Sequence, residues 1–343
     1  ISLPVYNEAA QIRDDLDSLL RLDYPAERLQ IVVVSDASTD GTDAIVAEYA
    51  GRGVEAVRLP VRSGKTAAEQ AAVPFLRGDI VVNTDASIRI RPDALRPLIA
   101  RFRDPAVGVA SGRDVSVGRF DETANLGEAG YVGYEMGVRR LETRVGGIVG
   151  ASGCFYAIRA ALHREPLPGH LSRDFGAALL ARRRGFRAVS VDEAVCLVPR
   201  TDSLRREYRR KVRTITRGIQ TLAHMRALLN PFHFGTFAWM LWSHKICRWA
   251  IAPAGLAGLA GFALLAPHHP LATLPLAGAA IAAVCSAAAW AWPAGRPMPR
   301  WLAIPAFFVL AGNLAVVHAV AHALHGDRNP TWEPTRRRVT SPA

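Results

Sequence analysis

Short apolar runs rich in β-branched residues alternate, over the first 112 residues, with segments whose apolar positions recur at helical spacing. Uninterrupted apolar runs are typical of strands covered on both faces, and strands that alternate with helices form parallel sheets with right-handed crossovers. The pattern therefore predicts an α/β domain with a mostly parallel sheet. The predicted strands lie at 2–5, 31–34, 54–59, 79–83 and 107–112. The predicted helices between them lie at about 12–20, 41–50, 65–77 and 92–103.

Beyond Arg103 the pattern loosens, and one stretch consists mainly of small residues. Further helices are predicted at 131–143, 171–184 and 202–228, the last of them basic and amphipathic. Between the first two lies 146–158, which reads Gly-Gly-Ile-Val-Gly-Ala-Ser-Gly-Cys-Phe-Tyr-Ala-Ile. Such small side chains let a ligand or another backbone approach closely, but they also suit a tight strand and turn. Both interpretations stay open at this point.

Three long apolar segments follow, at 249–266, 271–292 and 301–325. Each is long enough to cross a hydrocarbon core of about 30 Å, so we expect a C-terminal α-helical transmembrane region. The aromatic stretch 232–247 suits a helix in the membrane interface. Basic residues occur beside the first span and again after the third, which favours the cytosol for both ends. Three spans would separate those ends, so the number of spans stays open.

Composition narrows the possible partners. The 343 residues carry a net charge of +12, and the charged residues crowd into the first 230 or so positions. Arginine clusters at 182–184, 205–206 and 209–211 suit phosphate groups or an anionic membrane surface. We expect no nucleic acid, because no helix-turn-helix, zinc-finger or RNA-binding motif accompanies the charge. Four scattered cysteines without metal-type spacing favour a reduced, cytosolic setting.

The chain begins at Ile1, inside its first predicted strand and without an initiator Met. We therefore expect further residues upstream, and no secretory signal peptide is visible.

Two acidic turns follow predicted strands. Asp36 ends the second strand and Asp85 the fourth, and the carboxyl ends of parallel strands meet at the edge where ligands bind. Mg²⁺ or Mn²⁺ typically takes one or two carboxylates and completes its shell with substrate phosphates, so Asp85 is a candidate metal ligand. Alternatively, Asp36 only ends its strand and Asp85 is a solvated turn residue.

Two basic segments are candidates for anion binding. Residues 62–66 resemble the end of a Walker A loop, but Leu59 stands where its first glycine would be, which excludes that loop. Lys65 then either contacts an anion or base edge at a helix start or is simply solvated. In the basic helix, Arg210 and Arg213 can grip a diphosphate, or the helix lies on anionic lipid.

Asp174 stands in the first turn of the helix predicted at 171–184. It is a candidate general base if it faces the same sheet edge as the acidic turns. A simple helix-capping aspartate is the alternative.

Taken in order, these motifs resemble the membrane-embedded family 2 glycosyltransferases, which include cellulose, chitin and hyaluronan synthases. The resemblance covers nearly the whole chain. Its motifs are Pro4-x-Tyr6-Asn7-Glu8, the turn 35–42, Gly64-Lys65, Thr84-Asp85-Ala86-Ser87, Arg173-Asp174, the basic helix and the apolar spans.

The resemblance implies a GT-A fold, which is Rossmann-like, and a nucleotide-sugar donor, usually a UDP-sugar. It implies that Asp85 holds Mg²⁺ or Mn²⁺ on the donor diphosphate and that Asp174 is the general base. Arg210 and Arg213 would hold the departing diphosphate, and direct attack would invert the anomeric carbon. The residues implied for the nucleotide pocket are Pro4, Tyr6, Asn7, Glu8, Asp36, Lys65 and Thr84.

The chain departs from the family's motifs at three places. Ser87 replaces the second carboxylate of the metal motif, and Arg173 replaces the glutamate of the usual Glu-Asp pair. Where processive synthases have Gln-x-x-Arg-Trp, this chain has residues 210–214, which end in Thr214. The tryptophan that would serve as a platform for the acceptor sugar is missing, which argues against processive polymerisation.

We therefore expect four parts: a catalytic domain at 1–200, basic and interfacial helices at 201–247, transmembrane helices at 248–326 and a basic tail at 327–343. The expected activity is inverting, metal-dependent transfer from a nucleotide-sugar to a polysaccharide or glycolipid, at the cytosolic face of a bacterial-type inner membrane. The expected partners are the donor, a glycan or lipid-linked acceptor and membrane lipids. Alternatives are single-sugar transfer to a lipid-linked acceptor, a non-catalytic scaffold or transport component, and a nucleotidyltransferase. Residues 329–336 either cover the mouth of the site or form an unstructured basic tail.

Overall fold

The computed structural model describes residues 1–117, 126–199, 204–293, 296 and 298–327, with the side chains of 126–132 left out. The predicted cover at 329–336 lies outside these residues, and so does all of the predicted tail except Asp327.

A mixed, mostly parallel sheet of eight strands forms the centre of the first 199 residues. Its order is β3-β2-β1-β4-β7-β6-β8-β5. The strands β3, β2, β1 and β4 run parallel, whereas β7 is antiparallel to both of its neighbours. The strands are β1 Ser2–Val5, β2 Ile31–Ser35, β3 Val54–Arg58, β4 Ile80–Thr84, β5 Arg89–Ile90, β6 Val107–Val117, β7 Phe155–Arg159 and β8 Arg187–Pro199.

All five predicted strands are present, and three more were missed. The last four residues of the small-residue stretch, 155–158, belong to β7, so only its end is a strand. Strand β7 was missed because its partners β4 and β6 lie far away in the chain, and a five-residue apolar run alone does not reveal such pairing.

Helices cover both faces of the sheet. Because side chains alternate along a strand, Leu3 and Val33 join one core, whereas Val32 and Val34 join another on the opposite face. The helices of this part are α1 Ile12–Leu20, α2 Thr42–Ala47, α3 Lys65–Ala72, α4 Leu95–Ala100, α5 Leu126–Val145, α6 Ala160–His163 and α7 Arg173–Arg183.

The remaining chain is helical. Three stretches are long and apolar enough to cross a membrane: Pro231–Leu265, Pro270–Trp290 and Arg300–Leu324. The helices are α8 Leu204–His224, α9 Pro231–Leu241, α10 Arg248–Leu265, α11 Thr273–Trp290, α12 Arg300–Ala306 and α13 Ala315–Leu324. Wide π-helical turns at Trp242–Cys247 and Phe307–Leu314 join α9 to α10 and α12 to α13.

The stretch predicted as a separate interfacial helix, 232–247, is continuous with the first apolar helix. It bends at Gly235, which has the non-helical angles φ 52° and ψ −130°. His244 is buried because it packs against α5 between two of its glutamates, which keeps this part of the helix on the catalytic domain.

The basic helix α8 buries its apolar stripe against the last span. Val212 packs with Ala315 and Ala319 of α13. The Tyr208 hydroxyl lies 3.1 Å from His318 Nδ1, and the Nε2 atoms of His318 and His322 are 2.9 Å apart. The two histidines therefore contact each other and the start of α8.

Candidate active site

The loops after β1 and β2 are tied together at the carboxyl edge of the sheet. Asn7 has a positive φ of 53°, and its Oδ1 accepts a hydrogen bond of 2.8 Å from the Thr39 backbone N–H. The backbone N–H of Glu8 donates to Thr42 Oγ1 at 2.8 Å. These bonds hold Asn7 and Glu8 at the edge, whereas Pro4 is buried within β1 opposite Val34.

The carboxylate of Asp36 anchors the turn that begins α3. Asp36 is fully buried, and its two oxygens accept the backbone N–H groups of Ser63, at 2.6 Å, and Gly64, at 2.9 Å. Gly64 has a φ of 95°, which a residue with a Cβ rarely adopts. The same turn places the Arg62 guanidinium 3.9 Å from the centre of the Tyr6 ring. Asp36 thus does more than end its strand, because it fixes where Lys65 begins.

The ammonium of Lys65 bridges the edge of the sheet. It donates to Asp85 Oδ1 and, at 3.0 Å, to the carbonyl oxygen of Gly153, and it lies 3.9 Å from Glu69 Oε1. Burial lowers the pKa of Lys65, but Asp85 and Glu69 outweigh burial, so its pKa is raised. The ammonium of Lys65 is therefore fixed by these contacts, and Lys65 is not a solvated side chain.

Asp85 is the only carboxylate of the predicted metal motif, because Ser87 stands at its second position. Among the described residues, no group of three or more His, Cys, Asp or Glu side chains is arranged to hold a metal ion. A single carboxylate fits an Mg²⁺ or Mn²⁺ ion that is held mainly by phosphate oxygens and water. Asp85 Oδ1 is paired with the Lys65 ammonium, so an ion bound to that oxygen would compete with Lys65.

Asp174 lies beside this pair at the start of α7. Its Oδ1 accepts a hydrogen bond of 2.5 Å from Ser172 Oγ. A Cβ added at Gly153 would come within 2.9 Å of Asp174 Oδ2, so only glycine permits this close approach. Gly153 also accepts the Lys65 bond, so the small-residue stretch brings Asp174, Lys65 and Asp85 to one place. It therefore fits both interpretations left open by the sequence.

Thr84 ends β4 beneath this cluster. It is buried, and its hydroxyl has no hydrogen-bond partner among the residues that the structure describes. The hydroxyl of Tyr156, which is also buried, likewise has no hydrogen-bond partner among the described residues. Burial raises the pKa of Tyr156, and the nearby Glu69 raises it further.

Glu69 is a site residue that the sequence analysis missed. It is fully buried, and Arg173 Nε lies 3.5 Å from its Oε2. Burial raises the pKa of Glu69, and Lys65 and Arg173 oppose that rise. The available signal was the acid placed four residues after Lys65, a spacing that puts both on one face of a helix.

Asp174 lines a cavity of about 340 Å³. Arg210 lines this cavity and is held by Glu207 in a two-pronged pair of 2.7 and 2.8 Å. Arg213 lines a separate cleft with Arg209, Arg217 and His318. The structure therefore separates the two arginines predicted to share a diphosphate.

A second cluster of charged residues, which the sequence analysis also missed, lies on the wall of this cavity. Glu135 of α5 lies within 3.8 Å of Lys245, 3.0 Å of Arg248 and 3.5 Å of Arg139. His244 lies between Glu135, at 3.1 Å, and Glu142, at 2.7 Å. The group joins α5 to the connection between α9 and α10.

The first part of the chain matches a known protein family. Residues 1–165 match the profile of Glycosyl transferase family 2. Residues 1–165 therefore belong to a family 2 glycosyltransferase domain. The matched range includes every residue from Pro4 to Asp85 that lines the sheet edge, and it ends before Asp174.

Curated relatives of the family 2 domain include two bacterial enzymes. An N-acetylglucosaminyltransferase of Mesorhizobium japonicum is 32% identical over 212 residues, which are 57% of this chain and 50% of the relative. A poly-β-1,6-N-acetyl-D-glucosamine synthase of Staphylococcus epidermidis is 27% identical over 155 residues, which are 45% of this chain and 37% of the relative. The chain spans about half, or less, of the first curated relatives that it matches.

A solved structure resembles this chain beyond the family 2 domain. A mannosyltransferase from Pyrobaculum calidifontis, in complex with GDP-Man and Mn²⁺, superimposes with a TM-score of 0.68 at 25% identity. The superposition covers 94% of this chain and 86% of the mannosyltransferase. The predicted GT-A fold is confirmed.

Proposed function

We propose that the protein is an inverting glycosyltransferase that moves a sugar from a nucleotide-sugar to a hydroxyl acceptor at a membrane. One observation carries the proposal: Gly153 brings the Asp174 carboxylate up to the Lys65–Asp85 pair, beside a cavity that reaches the apolar helices. The reaction needs one base for the attacking alcohol and counter-charge for the departing diphosphate. Both lie together at this edge of the sheet.

We propose that the donor lies on the loops after β1 and β2. Its nucleoside would contact Tyr6, Asn7 and Glu8 and the turn that Asp36 holds. A UDP-sugar is the first candidate, and the names of the curated relatives make N-acetylglucosamine the first sugar to test. Because the solved mannosyltransferase binds GDP-Man, GDP-sugars belong in the same panel.

In the proposed reaction, Asp174 takes the proton from an acceptor hydroxyl as its oxygen attacks the anomeric carbon. The bond from that carbon to the donor phosphate breaks on the opposite side, which inverts the configuration. Lys65 and Arg210 supply positive charge to the leaving diphosphate. An Mg²⁺ or Mn²⁺ ion held by Asp85 and the phosphates would neutralise further charge. In this proposal Arg213 does not contact the diphosphate, because it lines the neighbouring cleft.

Three apolar helices and the polysaccharide-synthase relative indicate membrane association. We propose a multi-pass protein of the inner membrane with its catalytic domain in the cytosol. The proposed division stays at 1–200, 201–247, 248–326 and 327–343, with the interfacial part continuous with the first span.

The test is nucleotide release and product detection by nanodisc-held protein with a panel of UDP- and GDP-sugars, membrane lipid extract and Mg²⁺ or Mn²⁺. We expect turnover with one donor, loss of turnover with EDTA and after Asp85→Asn, and a fall of at least about 100-fold in kcat after Asp174→Asn. The matched control is Asp93→Asn, because Asp93 is an exposed surface residue paired with Arg91. Absence of donor binding and turnover would favour a non-catalytic scaffold, and a nucleotidyl product would identify a nucleotidyltransferase.

A further inference from the structure

We propose that the acceptor is a lipid alcohol held in the bilayer, with its reacting hydroxyl at Asp174 and its apolar part against the last apolar helix. The inference rests on the proposed function and names the acceptor class of the same site. It follows from the composition of the walls of the cavity next to Asp174.

One wall of the cavity belongs to the catalytic domain. It includes Asp174, Ser172, Gly153 and Asp114, and Asp114 accepts a hydrogen bond of 2.6 Å from Ser152. These groups are polar, and Ser116, Arg210 and Lys211 add further polar groups to the cavity. They suit the orientation of a hydroxyl group at the base.

The other wall belongs to the apolar helices. Trp249 of α10 and Val316 of α13 contribute to it, and so does the wide turn between α12 and α13, through Phe307, Ala311 and Gly312. The two smallest of these side chains leave space in the wall, and π-helical turns of this kind recur at functional sites. This wall offers van der Waals contact and hardly any hydrogen-bonding groups, which suits an acyl or isoprenoid chain.

The position of the missing tryptophan supports this class of acceptor. Thr214, which stands where processive synthases have tryptophan, lines the cavity beside Ile215 and Gly218. Sugar rings of a growing glycan bind well on aromatic faces, and Thr214 provides none.

Charge along the π-helical turn Trp242–Cys247 and the start of α10 changes in the order that an amphiphile requires. The Lys245 ammonium lies 5.4 Å from the ring of Phe175, next to Asp174 in sequence. Arg248 follows and pairs with Glu135, and Trp249 then begins the apolar part. The polar head of a lipid would meet Lys245, Arg248 and Glu135, while its chain would pass Trp249.

The same helices face outward with apolar side chains. In the last apolar helix, Ile304 is 57% exposed and Phe308, the neighbour of Phe307, is 66% exposed. Exposed apolar surface of this extent marks a membrane contact. One wall of the cavity therefore belongs to a helix that is long and apolar enough to cross a membrane, which gives a lipid alcohol a route from the proposed bilayer to Asp174.

The test offers two kinds of acceptor to nanodisc-held protein and the donor identified above. The lipid probes are dioleoylglycerol, a monoglucosyl dioleoylglycerol and a membrane lipid extract, and the soluble probe is an N-acetylglucosamine oligosaccharide. We expect a glycosylated lipid whose rate of formation saturates with the lipid fraction of the disc, and no extension of the soluble glycan. Extension of the soluble glycan without lipid, or release of the sugar only to water with every probe, would overturn the inference while the donor chemistry stands. No turnover of any donor would instead overturn the proposed function.

Filling the apolar wall gives a second test. Gly312→Leu adds a side chain to the cavity, and we expect the KM for the lipid acceptor to rise about tenfold relative to the KM for the donor. Ala311→Val is a milder version if the first variant folds poorly. The matched control is Gly258→Leu on α10, where no atom lies within 4 Å of an added Cβ, and it should leave both constants unchanged. Equal effects of Gly312→Leu and Gly258→Leu would contradict the proposed position of the lipid.

Discussion

Arg173 and Glu69 form a buried pair of opposite charge. Arg173 stands where the motif of family 2 glycosyltransferases usually has the glutamate of a Glu-Asp pair, and Glu69 on α3 supplies a carboxylate 3.5 Å from it. Arg173 also donates to the His163 carbonyl oxygen at 2.6 Å and to Gln70 at 2.9 Å. A buried charge that loses its partner is costly, so each of the two residues depends on the other.

Removal of the charge of Glu69 should destabilise the fold. We expect Glu69→Gln to lower the free energy of unfolding by about 3 kcal/mol, because Arg173 and Lys65 would lose a buried counter-charge. Denaturant unfolding of detergent-held protein measures the change. Glu55→Gln is the control, since Glu55 pairs with Arg77 at the surface and should change stability little.

The double variant Glu69→Gln/Arg173→Gln completes this prediction. Its loss in free energy of unfolding should be smaller than the sum of the losses in the two single variants. The reason is that the double variant also removes the Arg173 cation, which Glu69→Gln alone would leave without its partner. Strictly additive losses would show that the pair contributes no coupling.

At the scale of elements, α5 is joined to the α9–α10 connection through Glu135. Burial raises the pKa of this carboxyl, but the cations Lys245 and Arg139 and the hydrogen bond to His244 outweigh burial, so the pKa is held well below its usual value. Glu142 adds a second link, since its Oε2 accepts the backbone N–H of Val149 at 3.2 Å while Oε1 contacts His244. These contacts hold the first apolar helix on the catalytic domain.

The lowered pKa predicts a pH dependence with a definite sign. A carboxyl whose folded pKa is depressed stabilises the fold above its unfolded pKa, and this contribution is lost as the pH falls toward the folded pKa. The advantage of wild type over Glu135→Gln should be constant from pH 7 to about 4.5 and then shrink by about 1.4 kcal/mol per pH unit. Unfolding curves at pH 7, 5, 4 and 3.5 measure it. Glu48→Gln, an exposed residue, serves as control, and an advantage that does not shrink below pH 4.5 would contradict the prediction.

At the scale of the whole molecule, the three apolar helices expose most of their length. Only 6% of the most apolar window of the first helix is buried within the protein, and 11% of that of the second. The last is 39% buried, because α8 packs on it. Apolar surface of this extent on helices of this length is typical of membrane-spanning segments.

A charge at the centre of the second helix should therefore weaken membrane insertion. Ile281 is 65% exposed midway along α11, and a lysine there costs about 3 kcal/mol in the hydrocarbon core. We expect Ile281→Lys to lower the fraction of protein that resists carbonate extraction from membranes. Val61→Lys is the matched control, since Val61 is also 65% exposed but lies in the catalytic domain. Equal extraction of both variants would argue that α11 does not cross the membrane.

Local patterns in the sequence determined much of this molecule. The strands β1 to β4, the helices between them and the apolar helices were predicted because each shows its own periodicity or length. Asp36, Lys65, Asp85 and Asp174 were found because turn residues after buried strands and at helix starts stand out from their neighbours. Their roles in catalysis remain proposals.

Contacts between distant parts of the chain decided the rest. The pair Glu69–Arg173 joins residues 104 positions apart, through α3 packing beside α7, where Thr66 also donates to the Leu171 carbonyl oxygen. Strand β7 and the separation of Arg210 from Arg213 likewise depend on which surfaces meet. Spacing along one element reveals which residues share its face, but only the packed structure determines what that face meets.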